Sequence, residues 1–390
     1  MEIKVLTEED YTQSMKLSMY AFQYTIPEDK IPTRKEMLKN HKILGIWNQS
    51  NLAAKLHIIP FHIYMYGLEW KMGGVAGVAT YPEFRRSGYV KSLMIEAIKQ
   101  MRGDGQIVSM LHPFDIGFYR KYGWEIFTEN KKIQIDKINL QFLEPQKGSI
   151  KRYTKDTHHS DIEKLYIEFS EKYTGMLVRD LTWWMNNIYD DSQIAVYYNE
   201  MGQAKGYILF EIKDQKMDVQ EFICLNHEAR CGLWNFICQH DSMVENVSIL
   251  TSNHEYLPYV LKQPKVKMEV APYFMARIID ARQCLSKVQF NGCTDKVFLH
   301  IEDTFAPWNN GSYLIGNSDV KVFKEKQGSS CTQPPQRGIR LDINALTAIL
   351  FGYKRPIELF AMGYLKGSEE EVNVLERLFP IVKPYFYDFF

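Results

Sequence analysis

Apolar positions along the chain switch repeatedly between helical and strand spacing. Glu8 to Phe22 has a helical apolar rhythm, and the neighbourhood of Pro27 and Pro32 breaks it, so residues 1–45 read as helix and turn. Leu44–Trp47, Ala53–Phe61 and Met72–Thr80 read as strands, parted by the turn signals Asn48-Gln49-Ser50-Asn51 and Tyr66-Gly67. A helix is predicted from about Gly88 to Met101, with Leu93, Met94, Ala97 and Ile98 on its apolar face and Gly103 beyond its end. Ile107–Leu111 reads as a short buried strand, Phe114–Tyr122 as a short helix closed by Gly123, and Trp124–Phe127 as the start of a further strand.

The alternation restarts at Asp156. Ile162–Tyr173 reads as a helix, Ile194–Tyr198, Gly206–Glu211 and Asp218–Leu225 as strands, and Ala229–His240 as a helix. This order loosely repeats the first region. The stretch Val219 to Cys238 resembles Val75 to Met94 in outline, with one residue fewer in its turn, which suggests two copies of one fold. A third region begins near Arg277. Strand-like segments at Lys296–Ile301, Ser312–Ile315 and Val320–Phe323 precede a polar loop at Gln327–Gly338, and helices at Ile343–Phe351 and Glu369–Leu378 lead to a strand-like tail. The pattern predicts an α/β protein with mixed (α+β) sheets, divided at 1–150, 151–276 and 277–390.

Composition narrows the class. At 390 residues, 45% apolar and 24% charged, the chain has the profile of a soluble globular protein. Lys+Arg and Asp+Glu balance at 47 each, so no overall field draws it to nucleic acid or to an anionic membrane. No run of uncharged apolar residues is long enough to span a bilayer, and the opening MEIKVLTEED has no apolar core of a signal peptide. A cytoplasmic protein with reduced cysteines is expected. Cys224, Cys231 and Cys238 stand seven apart near His227 and His240. Without a C-x-x-C pair they read as small buried thiols rather than zinc ligands, and no metal is expected.

The chemistry lies in Val75-Ala-Gly-Val-Ala-Thr-Tyr-Pro-Glu-Phe-Arg-Arg-Ser-Gly-Tyr-Val-Lys. An apolar strand ends at Thr80, Pro82 breaks it, Arg85, Arg86, Ser87 and Gly88 follow, and a helix starts at Tyr89, Val90 and Lys91. Such a turn aims free backbone N–H groups into one space at the positive end of a helix, and Gly88 lets a ligand approach the backbone closely. Two readings fit these residues: a pyrophosphate cradle, or an ordinary strand–helix turn with solvated arginines.

This stretch resembles the pyrophosphate loop of the GNAT acetyltransferase superfamily, [QR]-x-x-G-x-[GA], with Val90 departing from the last position. Downstream, Phe118-Tyr119-Arg120-Lys121-Tyr122-Gly123-Trp124 is similar to the superfamily's F-Y-x-x-x-G-[FW]. Along nearly its whole length the chain resembles the Eis (enhanced intracellular survival) family. The R-R-x-G turn, the degenerate second repeat, Arg277-Ile278-Ile279-Asp280 and a terminal phenylalanine carry that resemblance. It implies two tandem GNAT-like domains, the first catalytic, followed by a sterol-carrier-protein-like C-terminal domain. It further implies acetyl-CoA as co-substrate, held by Val78, Ala79, Thr80 and Arg85 through Lys91, with Phe114 and Asp115 beside it. Amine acceptors of the polyamine or aminoglycoside type and a homo-oligomer, a hexamer, follow from the same resemblance.

By that resemblance Tyr119 is the proton donor and the C-terminal carboxylate of Phe390 the general base. From the residues alone, the other reading of Tyr119 is an aromatic packed under its helix; Tyr122 is the nearest rival for the role, and spacing favours Tyr119. Tyr385-Phe386-Tyr387-Asp388-Phe389-Phe390 holds five aromatics in six residues, which a frayed terminus would not need. Buried, it would drag an ionised carboxylate inward. Alternatively it is a terminal strand with its carboxylate at the rim, where Asp388 is either a pocket wall or solvent-facing. The competing functions are a peptide or protein N-acetyltransferase and a non-catalytic lipid- or partner-binding protein on the same fold.

Overall fold

A computed structural model describes residues 2–292, 295–316, 320–323 and 337–390; all but the last two residues of the polar loop expected at Gln327–Gly338 lie outside them. Strands β1 (Ile3–Val5), β2 (Lys42–Asn48), β3 (Asn51–Met65), β4 (Leu68–Thr80), β5 (Val108–Leu111) and β6 (Glu125–Ile126) belong to the first sheet. Tyr66 and Gly67 join β3 to β4 with φ of 54° and 71°, the two positive values that a tight two-residue hairpin requires. Helices α1 (Tyr11–Phe22) and α2 (Ile31–Leu38) precede this hairpin, α3 (Tyr89–Gly103) follows β4, and α4 (Ile116–Arg120) follows β5. α1 ends at Phe22, ahead of the two prolines as expected, and Pro32 sits in the first turn of α2, where a missing N–H has no intrahelical partner to lose.

Along β3 the two faces separate cleanly. Ala54, Leu56 and Ile58 pack with Leu93, Met94, Ala97 and Ile98 of α3. Lys55, His57 and Phe61 leave the opposite face, which carries α1, the end of α2 and the C-terminal tail.

The second sheet takes β7 (Glu129–Asp136), β8 (Ser149–Tyr153), β9 (Gln193–Tyr198), β10 (Ala204–Lys213), β11 (Lys216–Cys224), β12 (Asn246–Thr251) and β13 (Lys267–Pro272). Helix α5 (Ser160–Ser170) precedes β9, and α6 (His227–Cys238) connects β11 to β12. Cys224, Cys231 and Cys238 are buried. The two sheets exchange strands. β7 lies before residue 150 yet pairs with β12 and β13, while β14 (Met275–Ile278) returns to the first sheet between β5 and β6. The sheets therefore do not follow divisions at 150 and 276.

The last layer is a four-stranded sheet, ordered β17 (Val320–Phe323), β16 (Gly311–Ile315), β15 (Val297–Glu302) and β18 (Ile339–Asp342). Helices α7 (Ala281–Lys287), α8 (Ile343–Phe351), α9 (Pro356–Ala361) and α10 (Glu369–Leu378) pack about it. Its core is continuous with Ile63, Met65, Trp70 and Met72 of the first hairpin. The Arg277 to Asp280 segment welds this junction. Fully buried Arg277 pairs with Asp303 at 2.7 Å and donates to Tyr122 O, and Asp280 caps α7 by accepting from the N–H of Gln283.

Candidate active site

The turn between β4 and α3 leaves a row of backbone donors free. A 3-10 turn at Pro82–Phe84 redirects the chain, Arg86 takes φ of 61° and Gly88 φ of 78°, and the helix begins at Tyr89. Among the described residues, no acceptor meets the backbone N–H groups of residues 86 to 91, and the first bond of the helix is from Ser92 to Gly88. Arg85, Arg86, Ser87, Gly88 and Lys91 are exposed, while Tyr89 and Val90 are half-buried. A Cβ on Gly88 would meet nothing within 4 Å, so the space before this helix is open. Free donors, open space and two arginines at the positive end of a helix suit a pyrophosphate.

The strand leading to that turn is open on one side. β4 and β5 pair in parallel only from Met72–Gly74 against Val108–Met110 and then diverge, leaving Val75 to Thr80 without a paired strand on that edge among the described residues. In this stretch β4 bulges. Lys55 faces Ala79 and His57 faces Ala76, so Gly77 and Val78 stand opposite the single residue Leu56. Val78 is partly buried against the α3 core, Ala79 is buried, and the Thr80 hydroxyl is buried without a partner. An orphaned hydroxyl, a free strand edge and a donor-rich turn in sequence fit an extended pantetheine–pyrophosphate ligand.

Beyond β5, Asp115 caps α4: its Oδ1 accepts from the N–H of Phe118. Phe114 is 73% exposed and packs on Phe118 and Tyr119. The Tyr119 ring is buried, its hydroxyl has no hydrogen bond among the described residues, and burial raises its pKa. Tyr122 is buried too, but its ring lies 5.1 Å from Phe305 of the C-terminal domain.

The tail is held by side chains rather than by a sheet. Its backbone forms a single bridge, Pro384 with Thr174, so the strand-like tail expected from sequence is an extended segment without a ladder. Asp388 is neither a pocket wall nor solvent-facing. It is buried, and its Oδ1 accepts from Arg179 Nε at 2.9 Å and Trp183 Nε1 at 2.7 Å. Arg179 also pairs with buried Glu221, which accepts from Tyr207. This network of neighbouring charges holds the arginine's pKa well up, against its own desolvation. Beyond this anchor the Phe390 ring lies on β4 at the last residue paired with β5. A Cβ on Gly74 would be 2.7 Å from its Cε2, and Phe61 and Phe274 flank it at 4.9 and 5.2 Å. No cation among the described residues pairs with the terminal carboxylate. Phe389 is 62% exposed, with the His112 ring at 5.1 Å; burial lowers that histidine's pKa and keeps it neutral. The sequence reading missed Arg179, Glu221 and Trp183, which sit in irregular or unremarkable segments without a motif to mark them.

The central repeat uses the same strands differently. β11 and β12 also pair in parallel only at Lys216–Val219 against Asn246–Ile249. There the opening is filled: the Tyr387 hydroxyl accepts from the N–H of Phe222 at 3.2 Å and donates to its carbonyl at 3.3 Å. The turn is not one residue shorter but reduced to Leu225 and Asn226, against Tyr81 to Gly88 in the first domain. Asn226 caps α6 directly, accepting from the N–H of Ala229, so residues 228–232 lie within the helix rather than in a turn before it. Gly232 serves close packing, since a Cβ there would be 2.3 Å from the Tyr197 ring, and Arg230 is tied to Glu255.

Fold and site together define a tandem GNAT acetyltransferase with a sterol-carrier-type domain. A family model for an acetyltransferase (GNAT) domain matches residues 2–127, a second of the same description matches 175–278, and one for a sterol carrier protein domain matches 277–387. Within that class the chain is similar to N-acetyltransferases of the Eis type, and its GNAT domains make it an acetyl-CoA-dependent acetyltransferase. It is 24% identical over 206 residues to the N-acetyltransferase Eis of Mycobacterium tuberculosis, a match covering 50% of this chain and 51% of that protein. It is 20% identical over 374 residues to an uncharacterized N-acetyltransferase of Streptomyces avermitilis, covering 88% and 87% of the two. Its fold is shared with a probable N-acyltransferase of Enterococcus faecalis (TM-score 0.91, 24% identity, 100% of this chain and 99% of that one). It is shared also with Eis1 of Mycobacterium abscessus (TM-score 0.83, 17% identity, 100% of both chains). Among the described residues no helix is long and apolar enough to cross a membrane.

Proposed function

We propose that the first domain moves the acetyl group of acetyl-CoA directly to an amine of a small molecule, with Tyr119 as general acid and the Phe390 carboxylate as general base. The observation that carries this reading is the position of the chain terminus. A buried ion pair at Asp388 fixes the tail so that Phe390 lies at the mouth of the open strand pair, its carboxylate unneutralised by any described cation.

Bound acetyl-CoA supplies the activated thioester. The N–H groups of residues 86 to 91, with Arg85, Arg86 and Lys91, would hold its pyrophosphate, and the free edge of Val78, Ala79 and Thr80 would hold the chain leading to the thioester. The carboxylate of Phe390 would take the proton that the amine must lose. Because burial raises its pKa, Tyr119 stays protonated throughout the neutral range and can donate to the leaving sulfur. Phe114 and Asp115 would stand beside the cofactor, Asp115 acting through the cap it makes. A cytoplasmic homo-oligomer, hexameric by family resemblance, completes the proposal.

The test is a semisynthetic chain ending in Phe390 carboxamide, beside Tyr119→Phe. Both should lose kcat on the order of 10²-fold or more at nearly unchanged acetyl-CoA affinity. Near-normal turnover by the carboxamide would remove the terminus from the mechanism. Acetylation of peptide N-termini in preference to small amines would redirect the acceptor, and no acetylation of any amine would favour a binding protein.

A further inference from the structure

The three parts of the chain meet around a polar cavity of about 200 Å³ that the chemistry above leaves unused. Thr128 and Glu129 stand on its wall, where the chain crosses from β6 in the first sheet to β7 in the second. Asn253 and His254, just after β12, add the central domain. Tyr353 and Lys354, just after α8, add the C-terminal domain, and Pro384 adds the tail. Polar and steric ties fix these walls. Thr174 Oγ1 donates to the Phe351 carbonyl at 2.6 Å, and its backbone bridges Pro384. Gly352 takes φ of 80°, and a Cβ there would be 2.4 Å from Val382 Cγ2.

The opposite charges on this cavity are not paired with each other. Among the described residues Glu129 takes hydrogen bonds from neutral donors alone, Tyr353 OH and Asn253 Nδ2, each at 2.8 Å. Lys354 has Glu358 as its carboxylate partner, at 3.9 Å in a loose surface pair. The His254 ring makes no hydrogen bond among the described residues. Burial, reinforced by the charges of Lys383 and Lys131, lowers its pKa and keeps it neutral. Thr128 is 1% exposed, and its hydroxyl is buried without a partner. A carboxylate and an ammonium that line one small cavity without meeting are both satisfied by a guest carrying the two opposite charges. A purely apolar guest would strip water from both and replace nothing. An apolar cavity of about 150 Å³ takes benzene, so this one takes about eight non-hydrogen atoms.

We propose that the junction cavity binds a small free amino acid, its ammonium on Glu129 and its carboxylate on Lys354 and His254. The amino acid is a ligand of the junction and not an acceptor for acetyl transfer: none of the residues placed at the transfer site lines the cavity. Once bound, it bridges the central domain, the C-terminal domain and the tail. It therefore stabilises the folded protein, increasingly so as its concentration rises above Kd.

Calorimetry and thermal unfolding of the full-length protein, without acetyl-CoA, test this with L-valine, L-threonine and L-aspartate. At least one should bind at one per chain and raise Tm. The carboxamide and the N-acetyl form of the tightest should each bind on the order of tenfold more weakly or worse, because each lacks one of the two charges. Glu129→Gln and Lys354→Met should each weaken binding on the order of tenfold or more, while acetyl-CoA affinity stays as in wild type. The Lys354 side chain is 38% exposed and loosely paired, so Lys354→Met should fold; if Glu129→Gln does not, Lys354→Met decides alone. No binding by any of the three, equal binding of the free and blocked forms, or undiminished binding in Lys354→Met overturns the proposal. So does conversion of the bound amino acid to its N-acetyl form once acetyl-CoA is added, at a rate that neither variant changes, because the amino acid would then be an acceptor.

Discussion

The first and central domains both splay two parallel strands and follow the first of them with a helix, yet they treat the opening in opposite ways. In the first, an eight-residue turn from Tyr81 to Gly88 leaves a row of N–H groups without acceptors and the strand edge bare. In the second, Asn226 closes the turn at once and the tail's Tyr387 satisfies the bare edge at Phe222. The lesson concerns backbone satisfaction. Polar groups exposed by a splayed sheet need a partner; the central domain takes one from the protein's own tail, whereas the first leaves them to solvent, with room for a ligand. The same tail serves both. Tyr387 plugs the central opening, and three residues later Phe390 reaches the first.

The severest way to break this comparison is to cut the tail's anchor. Asp388→Asn leaves Arg179 facing Glu221 alone in a buried site, and roughly 3–5 kcal/mol of stability should be lost in denaturant unfolding. Turnover should fall further than acetyl-CoA binding, because the terminus is displaced while the turn before α3 is not. Unchanged stability would mean that the tail is held by its rings.

Tyr387→Phe tests the plug with a smaller effect. It strips the partner from the Phe222 N–H and carbonyl and should cost about 1–3 kcal/mol. Calorimetry should still return one CoA per chain for wild type and variant alike, because the central turn has no row of donors to hold a second. Two CoA per chain in either protein would show that the central opening is a site after all.

Gly88→Ala should have the smallest effect. Its φ of 78° strains any L side chain by about 1–2 kcal/mol, and relaxation of the turn should weaken CoA binding by roughly tenfold with the fold retained. Because a Cβ there would meet nothing within 4 Å among the described residues, wild-type affinity would place the pyrophosphate elsewhere.

Much of this was legible in the chain itself. Apolar periodicity located α3, α6, α8 and the strands of the first hairpin, because such signals depend on neighbours one to four residues away. The Arg85 to Lys91 turn was legible for the same reason: a strand end, a proline, a glycine and a helix start are local events. The alternation of Ile133 and Ile135 with polar residues marks β7 as a strand, but a strand's pattern does not name its sheet, and β7 crosses to the second while β14 returns to the first. The central turn misled for a related reason. The stretch from Val219 to Cys238 resembles Val75 to Met94, yet capping by Asn226 starts the helix earlier and makes Gly232 a packing residue against Tyr197.

By itself, then, the sequence determined the elements, their order and the donor-rich turn, all set by short-range sterics and hydrogen bonding. Tertiary structure alone decided where the tail lies. Arg179 and Asp388 are 209 residues apart, and no local rule joins them. Only when both charges leave water together does either become cheap enough to bury, and that pairing sets Phe390 on β4 and Tyr387 in the opening of the central sheet.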